Sequence, residues 1–456
     1  MSILDLLLDR SNRKLITYNN ATVTRHDFAD YVSLFYEKLC NIDELKTNSF
    51  IIIKEDNPVK FYALLFALWK NKNKVVLPTR AFLLDDEDFT FYKFAIILDQ
   101  NNEIKLVANK NLKLNTFSSV VSDEKNDTIL FSSGSTGVPK GICHNKDHLK
   151  ENAISVHKII ACSGYTSVSP LKPYLVSAVS HFLVHYISDS HLIFIDYENI
   201  SELKVLYKQK TDLSFVGSPM HLLSAIQYID KNKVPKFFFS SGDFMYSHNI
   251  QMFFDKFPLN VFFNTYGLAE IGGRFFVNRI DSSTPIENYN CIGKNIDGTE
   301  FEIVNDEIYV SSGFNFYGYI TNDRFIHAES KHPTGDLVKR DGNSFSLCGR
   351  LNDEVKIGGN KISIKHVERR ISECLKNDIC ILLVTVHYTL GKIIVLVIKS
   401  NSQYKRSGLI KNLRSKLKPY EIPHLYYYID TIPYTHSMKI DRILIKKNIE
   451  KLVPIL

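Results

Sequence analysis

Apolar residues in the first half of the chain form short continuous runs separated by helix-like stretches. Residues 49–53, 74–78, 192–195 and 236–240 are apolar runs of strand length, and residues 59–70 have the length of a helix. Strands that are apolar on both faces are typical of parallel sheets covered by helices. We therefore predict an α/β fold whose large N-terminal domain has mainly parallel sheets flanked by helices.

The pattern changes after about residue 285. Residues 300–304 and 307–311 alternate between apolar and polar positions, and Asn305-Asp306 joins them, which predicts a β-hairpin in a smaller β-rich part. A further segment has a strand at 355–357, a helix at 364–375, strands at 379–386 and 392–398, and a helix at 408–417. This order predicts a small α+β C-terminal domain over 350–456, after a core domain over 1–349.

Composition and charge exclude several classes of function. The chain has 456 residues, of which 45% are hydrophobic and 23% charged, an ordinary composition for a soluble globular protein. Its net charge of +7 comes from 56 basic and 49 acidic residues that are interspersed. A nucleic-acid-binding protein more often concentrates its basic residues in a stripe, so we expect no nucleic-acid partner. An acidic or phosphorylated small ligand fits the mild excess.

The cysteines and the N-terminal residues indicate the cellular compartment in which we expect the protein. The seven cysteines include no CxxC pair and are odd in number, which favours reduced thiols in a cytoplasmic protein. Residues 1–10 have acidic side chains within an apolar run, which predicts an amphipathic helix and not a signal peptide. No uncharged apolar stretch reaches 18 residues, so we expect no membrane span.

The stretch 132–141, Ser-Ser-Gly-Ser-Thr-Gly-Val-Pro-Lys-Gly, follows a predicted buried strand at 128–131. Its glycines allow backbone N–H groups to approach a phosphate, its hydroxyls add donors, and Lys140 adds a cation. It lacks the Gly-Lys-Ser/Thr triplet of a Walker loop. We interpret it as a phosphate-binding loop, and a plain Gly/Ser linker is the alternative.

This loop resembles the signature loop of the adenylate-forming superfamily, which includes acyl- and aryl-CoA synthetases, nonribosomal-peptide adenylation domains and luciferases. The resemblance implies a catalytic role for Thr136. It also implies ATP-phosphate contacts from Ser132, Ser133, Gly134, Ser135, Thr136, Gly137 and Lys140.

Two downstream segments resemble the adenine-binding motifs of the same family. The first implies a turn against adenine made by Ser241, Gly242 and Asp243. The second is Asn264, Thr265, Tyr266, Gly267, Leu268, Ala269 and Glu270. In that motif Tyr266 is expected to stack on adenine and Glu270 to hold Mg²⁺, a cation that prefers carboxylate and phosphate oxygens. Ala269 replaces the family's usual threonine.

Three more segments resemble the family near the predicted domain boundary and beyond it. Asp336 corresponds to the residue that accepts from the ribose hydroxyls, and Arg350 would reach ribose or phosphate. The hinge of the mobile C-terminal domain falls on Asn352, and Gly358-Gly359 matches a segment along the thiol tunnel. Lys439 takes the place of the catalytic lysine, although Met438 replaces the usual glycine.

The resemblance implies ATP-dependent activation of a small-molecule carboxylic acid, with Mg²⁺. The acyl group would pass to a thiol of CoA or of phosphopantetheine on an acyl carrier protein. In the acid pocket, Leu175 stands where an aspartate would pair with an amino group, which disfavours an α-amino acid. His181 is interpreted either as a pocket contact or as a core histidine.

Two alternatives remain. A catalytically weakened homologue would act as a nucleotide-binding or regulatory partner, for which Ala269, Asn352 and Met438 are the supporting features. A third interpretation keeps adenylation but ends at the adenylate or transfers the acyl group to an amine or hydroxyl.

Overall fold

The computed structural model describes residues 2–45, 50–78, 93–108, 127–132, 140–161, 163–210, 212–243, 245–258, 261–321, 324–342, 344–375, 378–387, 389–400, 402–435 and 439–456. Within these ranges the strands are β1 Lys14–Tyr18, β2 Ala21–Thr24, β3 Phe50–Lys54, β4 Lys74–Leu77, β5 Phe94–Leu98, β6 Ile104–Ala108, β7 Thr128–Ser132, β8 Lys140–His144, β9 Thr166–Ser169, β10 His191–Phe194, β11 Leu213–Gly217, β12 Phe238–Ser240, β13 Phe262–Tyr266, β14 Phe276–Ile280, β15 Lys294–Asn295, β16 Thr299–Val304, β17 Glu307–Ser312, β18 Gly318–Thr321, β19 Arg324–His327, β20 His332–Asp341, β21 Ser344–Arg350, β22 Glu354–Ile357, β23 Asn360–Ser363, β24 Ile379–His387, β25 Gly391–Lys399, β26 Leu425–Tyr428 and β27 Val453–Pro454.

The α-helices over the same ranges are α1 Arg25–Cys40, α2 Pro58–Lys70, α3 Lys146–Ile160, α4 Val176–Ile187, α5 Leu203–Gln209, α6 Pro219–Ala225, α7 Ser247–Lys256, α8 Ile364–Cys374, α9 Arg406–Arg414 and α10 Arg442–Lys447. The amphipathic helix predicted at the N-terminus is only a 3-10 helix, Ile3–Leu8, which Ser2 caps. Its apolar run is too short for a longer helix, because Asp9 and Arg10 follow at once.

Two large sheets dominate the N-terminal part of the described structure. One has the order β15-β14-β13-β12-β11-β9-β10-β1-β2, and the other β19-β18-β8-β7-β4-β3-β5-β6. Their central pairs are parallel and their outer pairs antiparallel. The predicted α/β architecture is confirmed.

Local sequence explains why particular elements form. Helix α2 begins where Asn57 accepts hydrogen bonds from the N–H groups of Val59 and Lys60, with Pro58 in its first turn. The hairpin predicted at Asn305-Asp306 is also confirmed: β16 and β17 pair in antiparallel fashion, and both turn residues have positive φ angles of 50° and 66°. Asn and Asp tolerate this left-handed conformation, which suits a two-residue hairpin.

The C-terminal residues have their own cores. Strands β24 and β25 pair in antiparallel fashion, and β26 joins β25 in parallel. Two buried apolar clusters are built wholly from residues between 357 and 455, on the two faces of this sheet. The proposed boundary between residues 349 and 350 therefore leaves both clusters intact on one side.

Candidate functional site

The ends of two neighbouring parallel strands form one wall of the site. Strand β12 pairs with β13 so that Ser240 lies beside Asn264, and Thr265 donates from Oγ1 to the Ser240 carbonyl at 2.8 Å. The segments that follow the two strands therefore emerge at the same edge of the sheet. Ligands of α/β proteins bind at this edge, beyond the carboxyl ends of the strands.

A cavity of about 430 Å³ opens at this edge. Many residues assigned to the nucleotide from sequence line it together: Gly242, Asp243, Asn264, Thr265, Tyr266, Gly267, Asp336, Arg350 and Lys439. Asp353, Lys365 and Arg369 of the C-terminal part also line it. Both parts of the chain thus contribute charged side chains to one cavity.

Asp336 is the centre of a buried hydrogen-bond network in this cavity. Strand β20 pairs with β21 so that Asp336 lies opposite Arg350, whose guanidinium donates to both carboxylate oxygens, at 2.5 and 3.2 Å. The phenol of Tyr266 donates to Oδ2 of Asp336 at 2.6 Å. Burial and the neighbouring carboxylate raise the pKa of Tyr266 well above its usual value, so the phenol remains a donor.

The turn before Asp336 requires a glycine. Gly335 has a φ of +72°, and its N–H donates to Glu307 at 2.8 Å. Thr334 accepts from the Asp336 N–H at 3.0 Å and donates to the Ile308 carbonyl. These contacts fix the carboxylate in place before any ligand binds.

Lys439 lines the cavity from a short loop of the C-terminal part. Thr435 donates its N–H to the Lys439 carbonyl at 2.8 Å, and the Lys439 N–H donates to Oγ1 of Thr435 at 3.2 Å. Tyr434 and Ile440 form an antiparallel bridge beside this loop. These contacts hold Lys439 beside Thr435, and residues 436–438, including Met438, lie outside the described residues.

An ion pair between a partly exposed arginine and a buried carboxylate anchors the segment after Lys439. Arg442 donates to both oxygens of Glu368, at 2.7 and 2.8 Å, and Glu368 also accepts from the Leu382 N–H at 2.7 Å. Burial alone would raise the pKa of Glu368, but the charge of Arg442 lowers it to about 2. Tyr246 of the N-terminal part donates to the same carboxylate at 3.1 Å, so this pair also joins the two parts.

Glu270 and Lys140 both contact Tyr319, and neither of them is among the residues that line the described cavity. The Tyr319 phenol donates to Glu270 at 2.9 Å, and the Lys140 ammonium lies 5.8 Å from the centre of the Tyr319 ring. Strand β18 pairs with β8, which places Tyr319 next to the strand that Lys140 begins. Burial lowers the pKa of the nearby His332, while Glu270 opposes that change.

Magnesium fits this arrangement only with help from the nucleotide. Among the described residues, no group of three or more His, Cys, Asp or Glu side chains could hold a metal ion by itself. A single carboxylate such as Glu270 is sufficient when phosphate oxygens supply further ligands, because Mg²⁺ is often bound in this way.

Some predicted residues are not brought to the cavity or cannot be placed. Ser133, Gly134, Ser135, Thr136 and Gly137 lie outside the described residues. Ser132 is described only as the last residue of β7, where it pairs with Lys140, so the loop is flanked by adjacent strands. Ser241 is next to the cavity and donates its N–H to the Gly217 carbonyl. Gly358 and Gly359 form an exposed turn between β22 and β23.

Sequence reasoning missed several residues of the site. Tyr246, Tyr319, Lys365 and Arg369 belong to no motif that we identified. Each reaches the site through long-range packing, as when the Tyr319 strand pairs with β8 across more than 170 residues. An alternating strand at 318–321 gives no local signal of this partner.

Comparison with known proteins places this chain in a family. A sequence model of the AMP-binding enzyme family matches residues 47–320. A putative long chain fatty acid-CoA ligase, VraA, of Staphylococcus aureus is 23% identical over 323 residues, 68% of this chain and 69% of that protein. A D-alanine–D-alanyl carrier protein ligase of Staphylococcus epidermidis is 25% identical over 351 residues, 70% of this chain and 71% of that protein.

The fold has counterparts among solved structures. O-succinylbenzoate coenzyme A synthetase of Bacillus subtilis, in complex with ATP and magnesium ion, superposes with a TM-score of 0.74 at 16% identity. The match covers 97% of this chain and 99% of that one. No helix within the described ranges is long and apolar enough to cross a membrane. Because the family model spans more than half of its residues, this chain belongs to the AMP-binding enzyme family of adenylate-forming ligases.

Proposed function

We propose that this protein activates a carboxylic acid with ATP as an acyl-adenylate, releases pyrophosphate, and then transfers the acyl group to a thiol. The thiol belongs to CoA or to the phosphopantetheine of a carrier protein. The observation that supports this most is the joint cavity, which Tyr266 and Asp336 of one part of the chain line together with Arg350 and Lys439 of the other.

In the first step, a carboxylate oxygen attacks the α-phosphorus of ATP and the bond to the pyrophosphate oxygen breaks. Tyr266 provides an aromatic face for adenine, and Asp336 is placed to accept from ribose hydroxyls. Lys439 is a compact positive charge that would stabilise the negative charge developing on the α-phosphate. A preorganised donor of this kind is typically worth about 10²–10³ in rate.

Four cationic side chains in the cavity would balance the negative charge of the ATP phosphates. Arg350, Lys365, Arg369 and Lys439 line the described cavity together with three carboxylates, those of Asp243, Asp336 and Asp353. Bound magnesium would neutralise further phosphate charge, with Glu270 and phosphate oxygens as its ligands.

In the second step, the thiol sulfur attacks the acyl carbonyl and AMP leaves. Lys439 has no role in that step, so we propose that the C-terminal domain, 350–456, rotates about Asn352 and withdraws it. The contact of Tyr246 with Glu368 would then break, since the proposed division assigns the two residues to different domains. Domain movements of this kind limit turnover in many enzymes.

Acid-dependent exchange of radioactive pyrophosphate into ATP tests the proposal across a panel of carboxylic acids. We expect at least one acid to drive exchange, and Lys439→Ala to reduce it at least a hundredfold. Lys447→Ala is the matched control, because Lys447 is an exposed lysine of the same segment. Nucleotide binding without exchange for any acid would instead favour a binding or regulatory role.

A further inference from the structure

Arg274 is a buried arginine close to the candidate site. Arg274 is only 1% exposed, and its side chain is among the largest fully buried side chains of the described structure. The guanidinium donates to Oγ of Ser180 and, at 3.4 Å, to the Ser177 carbonyl. It lies 5.1 Å from the centre of the Phe239 ring. Among the described residues, no carboxylate forms an ion pair with it, and its buried Nε has no hydrogen-bond acceptor.

Two other arginines of this protein show how such a charge is usually balanced. The buried Arg25 is 4% exposed and lies 3.0 Å from Asp9 and 3.0 Å from Asp189. The side chain of Arg442 is 28% exposed and donates to both oxygens of Glu368. An isolated buried charge is costly, and proteins pair it or neutralise it. Burial lowers the pKa of Arg274 to about 9, so its guanidinium is still positively charged at neutral pH.

The position of Arg274 is fixed from two sides. The side-chain amide of Asn152 donates to the Arg274 carbonyl at 2.7 Å and accepts from its N–H at 3.3 Å. Gly267, which lines the nucleotide cavity, packs directly on the backbone of Gly273 and Arg274. A Cβ at Gly267 would lie only 2.8 Å from Cα of Arg274. The backbone of Arg274 therefore lies directly behind the wall of the cavity.

A second polar group lies close to the guanidinium. His181 of helix α4 is 2% exposed, and its buried Nε2 has no hydrogen-bond partner among the described residues. Its ring packs edge-on against the same Phe239, with the ring centres 4.8 Å apart. Burial lowers the pKa of His181 well below its usual value, so the imidazole is neutral. A positive guanidinium, two serine positions and a neutral imidazole are thus grouped in an apolar interior.

We propose that Arg274 binds a second carboxylate of the acid substrate, so that this enzyme activates a dicarboxylic acid at its other end. The inference rests on the proposed function, since it concerns the acid of the same adenylation reaction. A planar guanidinium matches a carboxylate with two parallel hydrogen bonds. The same positive charge would repel the ammonium group of an α-amino acid.

The test compares dicarboxylic acids with their monoamides in acid-dependent pyrophosphate exchange. The set contains straight-chain and aromatic dicarboxylic acids, and each monoamide has nearly the same shape without the second charge. We expect a dicarboxylic acid to exceed its monoamide in kcat/KM by about thirtyfold or more, as for loss of one partner of a buried charge pair. Arg274→Met should lose this preference while it keeps activity with the monoamide.

Each outcome has a distinct meaning. If monocarboxylic acids or monoamides match the dicarboxylic acids in the unaltered protein, the inference is wrong although the proposed function stands. If no acid of any kind drives exchange, the proposed function itself fails. This comparison needs no variant, so it decides the matter even if Arg274→Met does not fold.

Thermal denaturation separates a binding role from a structural one. With a non-hydrolysable ATP analogue present, the preferred dicarboxylic acid should raise the melting temperature of the unaltered protein and of Arg274→Lys, but not of Arg274→Met.

Without ligand, Arg274→Met should be no less stable than the unaltered protein, because it removes an unbalanced buried charge. The matched variant Arg25→Met should be destabilised, because it removes the ion-pair partner of Asp9 and one of the two partners of Asp189, the other being Arg13. A strongly destabilised Arg274→Met whose residual activity keeps the dicarboxylate preference would contradict the proposed role.

Discussion

Glu368 provides the sharpest test of how the Lys439 segment is held. The carboxylate is 2% exposed and accepts from both Nη atoms of Arg442, from the Leu382 N–H and from the Tyr246 phenol. Glu368→Gln keeps the shape and removes the charge, which leaves the Arg442 guanidinium without its carboxylate partner and with its hydrogen bond to the Leu382 carbonyl. Removing one partner of a buried pair costs about 3–5 kcal/mol.

Hydrogen exchange of the amides in β24 and β25 measures this loss locally, because both strands belong to the C-terminal sheet that the pair supports. A cost of about 3–5 kcal/mol corresponds to protection lowered by roughly a hundredfold to several thousandfold. The matched control is Glu302→Gln. Glu302 also lies 2.7 Å from its partner, Lys331, but the two side chains are 43% and 57% exposed. An exposed pair contributes about 1 kcal/mol or less.

The pH dependence has a defined sign. Because the folded-state pKa of Glu368 is lowered from 4.5 to about 2, its contribution is fully present above pH 4.5 and is lost as the pH falls toward 2. The stability difference between the unaltered protein and Glu368→Gln should therefore be constant above pH 4.5 and shrink below it. Equal protection in the two proteins at neutral pH, or an equal loss in Glu302→Gln, would refute this reasoning.

Four further outcomes follow from the site. Asp336→Asn should weaken ATP binding about tenfold or more in calorimetry, since a charged acceptor for hydroxyls is lost; an unchanged Kd would exclude Asp336 from ribose binding. Lys439→Ala should abolish adenylation yet form thioester from supplied acyl-adenylate in single-turnover assays, and adenylation at the original rate would contradict its role. Tyr319→Phe should raise the magnesium concentration for half-maximal exchange about fivefold, because Glu270 loses a hydrogen bond; an unchanged magnesium curve would separate Tyr319 from the metal site. Tyr246→Phe should slow adenylation several-fold while thioester formation is spared, as it removes a contact between the two parts; equal slowing of both steps would argue against domain alternation.

Much of the fold follows from local patterns. The apolar run after Asn57 predicts a buried helix, and Asn305-Asp306 predicts a hairpin, because in both cases neighbouring residues satisfy the backbone. The residues assigned to the nucleotide come from short motifs with a characteristic order, and many of them line one cavity, while their role stays a prediction. Tyr266 and Asp336, which are 70 residues apart, do meet at 2.6 Å.

The remaining features depend on packing that a linear pattern does not encode. Arg274 follows a recognisable motif, but nothing in its neighbours shows that its charge is buried without a carboxylate nearby. The Tyr246–Glu368 contact links residues 122 positions apart and depends on how the two parts of the chain dock. The predicted phosphate loop, from Ser133 to Gly137, lies outside the described residues, and its role stays a prediction.

Transfer of oxygen-18 tests the central claim most directly. The acid that supports exchange is labelled in its carboxylate and incubated with ATP, magnesium and a thiol acceptor, and the products are analysed by mass spectrometry. Because acyl-adenylate formation joins a carboxylate oxygen to the α-phosphorus, the account predicts that the label appears in AMP. Label in inorganic phosphate, or turnover that leaves AMP unlabelled, would contradict it.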